Sequence, residues 1–145
     1  MHIRPSTYTF TTVRLSAHLD TTIDKHLVCA CGCGMVSRPE HWRQELIVLF
    51  EAICAHLKTP LTITSGWRCP RHNHLIHGSK TSLHCIGAAL DISCPKLEFD
   101  TFAAAAEFAA RLSTHGQAGV GYYPKKRFVH IDLGLGRCPG RRWTD

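Results

Sequence analysis

The stretch Ser82-Leu83-His84-Cys85-Ile86-Gly87-Ala88-Ala89-Leu90-Asp91 can be read two ways, and the choice settles the fold. His84 and Asp91 are seven residues apart, a spacing that would put them on one face of a helix. The run that follows speaks against a helix. From Ala88 to Cys94 the residues alternate, with Ala88, Leu90, Ile92 and Cys94 on one face and Ala89, Asp91 and Ser93 on the other. A strand is therefore expected from Ala88 to Cys94, stopped by Pro95. Gly87 lets the chain bend ahead of it, so that the His84 imidazole can turn back toward Asp91. Ala89 shares the Asp91 face, and its small side chain leaves space above the sheet.

Phe128-Val129-His130-Ile131-Asp132 supplies the rest of the constellation. Read as a strand, Val129, Ile131 and Leu133 face a core, while Phe128, His130 and Asp132 share the opposite face. A histidine and an aspartate on one strand face, backed by an apolar one, need something that offsets the cost of burying them. A divalent cation does so. Two imidazoles and one carboxylate are a usual ligand set for a catalytic zinc that keeps a coordination place open for water. His84, Asp91 and His130 are the candidate ligands, and a metallohydrolase is expected if they converge.

The other elements follow from periodicity and breakers. Trp42, Leu46, Leu49, Ile53 and Leu57 recur at helical spacing, with Glu45 and Glu51 off the stripe, and Pro39 could stand in the first turn. Pro60 ends that helix, and Leu61-Thr62-Ile63-Thr64-Ser65 reads as a strand. Residues 71–77 make a short helix or loop, and 97–112, rich in Ala and Phe without Gly or Pro, a second long helix. Gly119–Pro124 and Arg127–Leu133 are two strands joined by a hairpin at Pro124-Lys125-Lys126. Strands and helices without regular alternation favour α+β, with a small, mainly antiparallel sheet flanked by helices.

The 145 residues suit one domain, residues 1–145, expected as a monomer, with 1–37 an irregular segment carrying a cysteine cluster. Hydrophobic residues are 44% and charged residues 19%, enough apolar material for a core, so disorder is not expected. Lys plus Arg number 17 against 11 for Asp plus Glu, and the resulting +6 suits either an anionic partner or simple solubility. No apolar run reaches signal-peptide or transmembrane length, so synthesis as a soluble cytoplasmic protein is expected, with no membrane partner. No aromatic-basic nucleic-acid motif stands out, so nucleic acid is not expected as a partner either.

Eight cysteines without a secretory signal do not read as a disulfide framework. Cys54 and Cys94 fall on apolar faces and read as core thiols. Cys29, Cys31 and Cys33 could hold a structural zinc with a distant ligand such as Cys69 or Cys138. Their spacing is not the two-residue knuckle of zinc ribbons, so reduced packing thiols are the favoured reading.

Ser82-x-His84-x-x-Gly87-x-Ala89-x-Asp91 resembles the signature of the D-Ala-D-Ala carboxypeptidase-like metallopeptidases, which share a fold with the hedgehog signalling domain. Thr64-Ser65-Gly66-Trp67-Arg68-Cys69-Pro70 with His72-Asn73 is similar to that family's upstream motif. Gly119-Val120-Gly121-Tyr122-Tyr123-Pro124 followed by Phe128–Asp132 resembles the C-terminal motif of its smaller bacterial and phage-borne branch, and the cysteine cluster is similar to the N-terminal part of phage-type members. The resemblance covers roughly residues 29–143. It implies zinc held by His84, Asp91 and His130, and hydrolysis of peptide bonds in peptidoglycan stem peptides or cross-links, by a carboxypeptidase or an endopeptidase of endolysin-like character. It also implies that Arg68 binds the scissile carbonyl oxygen as negative charge develops, and that Ser82 supports a ligand or Arg68 by a hydrogen bond. Action on the cell wall would then follow release or export.

The sequence departs from better-known relatives where they carry a general-base Asp or Glu, three residues before the last histidine ligand. Arg127 stands there and cannot accept a proton, and Phe128 replaces a second histidine found in some relatives. Asp132 is the candidate base, because it shares a strand face with His130; the competing role is to orient His130. The missing base also motivates an alternative, a catalytically inactive module of the same fold that binds cell-wall peptide.

Overall fold

The computed structural model of the chain describes residues 42–145 together with His18, Cys29 and Cys31. The expected helix start at Pro39, the thiol of Cys33 and the rest of the 1–37 segment lie outside the described residues. Helix α1 spans Gln44–Leu57, two residues short of the Thr59-Pro60 boundary. Lys58 closes it in a left-handed conformation, its N–H returning to the Cys54 carbonyl. The buried face comprises Leu46, Ile47, Leu49, Phe50 and Ile53, broader than the expected stripe. Strand β1 (Thr62–Ser65), the short helix α2 (Pro70–Leu75) and a single 3-10 turn (Leu83–Ile86) lead to strand β2 (Ala89–Ser93). Helix α3 (Phe99–Ser113), strands β3 (Gly119–Tyr123) and β4 (Phe128–Asp132), and a short β5 (Arg142–Thr144) complete the order.

The strands form one sheet in the order β1-β2-β4-β3-β5. All neighbours run antiparallel except β3 and β5, which are parallel. Helices α1 and α3 pack together, with Ala103, Ala106, Ala109 and Ala110 giving α3 a small-residue face that allows close approach. Leu90, Ile92, Val120, Val129 and Ile131 are fully buried in the same core. Two-residue alternation sends their neighbours Ala89, Asp91, Gly119, Gly121, His130 and Asp132 to the opposite face. The functional face is thus the side of the sheet that the long hydrophobic residues do not use. Arrangement and composition are those of the expected α+β fold, a small and mainly antiparallel sheet flanked by helices.

Candidate metal centre

Cross-strand register builds the site. Asp91 pairs with His130, His130 with Gly121, and Gly121 with Trp143, so four strands contribute to one row. The adjacent row is Ala89, Asp132 and Gly119. Alanine and glycine stand at three positions of these rows, and their lack of bulk is what admits the polar groups. A Cβ on Gly119 would lie 2.6 Å from Asp132 Oδ1 and 2.7 Å from an Arg141 nitrogen. One on Gly121 would lie 2.6 Å from the Trp143 indole nitrogen.

His84 arrives from outside the sheet. It sits in the 3-10 turn, whose first N–H groups are capped by Ser82: the Ser82 hydroxyl accepts from His84 N at 3.3 Å. Gly87 ends the turn at φ 69°, in the left-handed region, and the chain enters β2. The Gly87 carbonyl accepts from Arg43 N at 3.0 Å, tying this bend to the start of α1.

The hydrogen bonds fix the His84 tautomer. His84 Nδ1 lies 2.7 Å from the Gly66 carbonyl, which can only accept, so Nδ1 carries the proton. Nε2 then presents a lone pair to Asp91 Oδ1 at 3.3 Å. His130 lies between two carboxylates, with Nε2 2.8 Å from Asp132 Oδ2 and Nδ1 2.9 Å from the same Asp91 oxygen; both nitrogens donate there, and a bound ion would take the place of the Nδ1 proton while Asp132 keeps the one on Nε2. Two ring nitrogens and a carboxylate oxygen converge, and a cation can replace the proton between His130 Nδ1 and Asp91. Ligand atoms about 2.0–2.1 Å from a tetrahedral zinc stand about 3.3–3.4 Å apart; here Asp91 Oδ1 lies 3.3 Å from His84 Nε2 and 2.9 Å from His130 Nδ1, so a small outward shift of His130 would admit the ion. These three residues fit a metal by donor type and proximity.

Electrostatics agree with that geometry. Burial by itself would raise the Asp91 carboxyl, but the hydrogen bonds and charges of His130 and His84 outweigh it and hold the group well below the usual carboxylate range. Burial would lower His130, and the two carboxylates, Asp132 and Asp91, instead push it up to about 9. Asp132 is fully buried, and burial alone would raise it too; His130, Arg141 and the Gly134 N–H together lower it. Arg141 reaches its Oδ2 at 2.5 Å, and Gly134 N donates to its Oδ1 at 2.8 Å. Both oxygens of Asp132 are therefore engaged.

Arg68 stands apart from the triad but is joined to it. Its N–H donates to the His84 carbonyl at 3.2 Å, and its guanidinium donates to Asn73 Oδ1 at 2.8 Å. Asn73 is buried on α2 and also donates to the Ser79 carbonyl at 2.8 Å. Arg127, at the expected base position, is exposed in the hairpin turn at φ 60°. His74 and His77 are exposed and His72 half-buried. Tyr123 is packed: it stacks on Phe128 at 4.3 Å and its hydroxyl accepts from the Trp143 indole at 3.0 Å.

A cleft of roughly 460 Å³ opens beside His130 and Asp132, with Arg137, Arg141, Arg142 and Trp143 along its side. Trp143 lies 5.2 Å from the His130 ring, and Arg141 lies over the indole at 5.0 Å. Sequence reasoning gave Asn73, Arg141, Trp143 and the Gly66 carbonyl no role at the metal centre. The signal for two of them was present in the paired glycines 119 and 121, which mark places where large groups must pass close to the backbone.

Three of the expected cysteines meet. Cys29, Cys31 and Cys69 come together, while Cys138 is exposed with its thiol against the Pro139 carbonyl. Cys94 is buried as expected, and Cys54 half-buried.

Comparison with known proteins identifies the family. Curated relatives named peptidoglycan L,D-endopeptidase MepK, from Escherichia coli K12, Escherichia coli O157:H7 and Shigella flexneri, are each 33% identical over 91 residues. The match covers 59% of this chain and 44% of each relative, so it reaches less than half of their length. One family pattern, Peptidase M15, spans residues 21–132 and so includes Arg68, all three candidate ligands and Asp132. By that match, and with the donor set in place, the chain belongs to the peptidase M15 family.

Proposed function

We propose that the chain is a zinc-dependent peptidase that hydrolyses peptide bonds in peptidoglycan stem peptides or cross-links. Family membership implies a metal, and zinc suits a set of two imidazoles and one carboxylate with a place left open. The observation that carries the reading is the meeting of His84 Nε2 and His130 Nδ1 on one oxygen of Asp91. A bound zinc would supply Lewis acidity and activate water for attack on a carbonyl.

The chain's own residues divide the remaining work. Asp91 stays ionised and supplies the negative charge that a dication needs. The Gly66 carbonyl and the Asp132 carboxylate hold the two rings in the binding tautomer. With both oxygens engaged, Asp132 acts as a positioning residue and not as the base. Arg68, braced by Asn73, would bind the carbonyl oxygen as charge builds on it. The arginines along the open cleft suit the free carboxylates of a stem peptide. The name of the curated relatives supports the substrate class and favours an internal cut at an L,D bond over removal of a terminal residue.

The test is digestion of purified peptidoglycan with zinc present, followed by chromatography and mass analysis of the released peptides. Cleavage that disappears in His84→Ala is the expected result. A second reading, an inactive wall-peptide-binding module, draws on Arg127 at the usual base position and on the engagement of Asp132. Sedimentation with the wall and no released peptide would favour it over the hydrolase.

A further inference from the structure

We propose that Cys29, Cys31 and Cys69 hold a second, structural zinc ion. The three thiols come from two segments 38 and 40 residues apart, yet their sulfurs form a nearly equilateral triangle with sides of 3.4, 3.6 and 3.6 Å. A disulfide would bring two sulfurs to about 2.05 Å and leave the third aside. Thiolates about 2.3 Å from a tetrahedral zinc stand about 3.8 Å apart, so the triangle is close to one face of that tetrahedron. The fourth position falls to water or to one more side chain.

Two backbone donors point at the sulfurs. Cys69 N–H reaches Cys29 Sγ at 3.4 Å, and His72 N–H reaches Cys69 Sγ at 3.3 Å. Burial pushes the Cys29 thiol up to about 12, so it is the ion, with these N–H donors beside the sulfurs, that would displace the proton. Cys29 and Cys69 are buried and Cys31 is exposed, which gives the ion a way in from solvent. A donor set made of sulfur alone selects a soft or borderline ion, and zinc is the redox-inert choice. Zn²⁺ entering the triangle displaces the three thiol protons to solvent.

The position of this ion suggests its task. Cys69 directly follows Arg68 and caps α2, the helix that carries Asn73, and Asn73 holds the Arg68 guanidinium. The ion would tie the segment around Cys29 to the turn that presents Arg68. Its existence does not depend on the peptidase reading; its effect on turnover does.

Metal content by mass spectrometry, with cobalt substitution read by absorption, tests the site. Wild type is expected to carry two zinc equivalents, Cys31→Ser one and His130→Ala one. Cobalt-loaded wild type and His130→Ala should show strong near-ultraviolet thiolate-to-cobalt charge transfer, and Cys31→Ser should lose most of it. Cys31 is exposed, so that variant is expected to fold, and the wild-type cobalt spectrum needs no variant at all. A single equivalent in wild type, absent in His130→Ala, with no charge-transfer band, would overturn the second site and leave the first intact. A native disulfide between any two of the three cysteines would overturn it as well. If the ion positions Arg68, Cys31→Ser should lower kcat more than it raises KM while keeping the zinc at His84, Asp91 and His130.

Discussion

Asp91 Oδ1 is the atom around which the centre is built. Each imidazole facing it has its other nitrogen committed, His84 to the Gly66 carbonyl and His130 to Asp132, so ring orientation is set before any ion arrives. Asp132→Asn keeps the shape but removes the charge that holds the His130 Nε2 proton. Zinc affinity is expected to fall about 10–100-fold, measured by competition with a chromogenic chelator; unchanged affinity would take the positioning role from Asp132. Arg68→Ala should lower kcat by about 10²–10³-fold with zinc content unchanged, as measured for loss of one oxyanion donor. A rise in KM alone would assign Arg68 to ground-state binding. At this scale the meeting of the three candidate ligands was legible, because a histidine or aspartate on the sheet face opposite the core has few reasons to be there. The partners that orient them were not. A backbone carbonyl 18 residues away leaves no mark on residue type, and Asp132 as base or as positioner differs only in where Arg141 and Gly134 fall.

Between residues and molecule, the row Asp91–His130–Gly121–Trp143 explains why glycine alternates in β3. Trp143 from β5 lies across Gly121 and beside His130, and Tyr123 fixes its indole. Gly121→Ala should destabilise the fold by about 1–3 kcal/mol through overpacking against that ring, measured by urea unfolding. No loss would mean that Trp143 does not close over the row. Period-two and helical patterns made β2, β4, α1 and α3 legible, since each has an apolar face long enough to count. The strand β5 was not legible: three residues are too few for a period, and its pairing with β3 is parallel and non-local. The 3-10 turn under His84 was inferred only as a bend at Gly87, because four residues capped by a serine have no periodicity to detect.

For the molecule as a whole, the packed helices and the inner face of the sheet form the core, and the candidate metal ligands lie on the other face. Asp91 and His130 meet only when β2 and β4 are paired, so an ion held by them and His84 would bind the folded chain and not the unfolded one. Zinc at a hundred times its dissociation constant should therefore add about 2.7 kcal/mol to the unfolding free energy for each site filled. Urea titrations of chelator-treated protein with and without zinc check this, and coincident curves would contradict it. The most direct measurement of the catalytic site is anomalous diffraction at the zinc absorption edge from crystals grown with zinc. The expected map has a peak bonded to His84 Nε2, Asp91 Oδ1 and His130 Nδ1. Zinc found elsewhere while these three atoms stand together without it would contradict the centre on which the proposed chemistry rests.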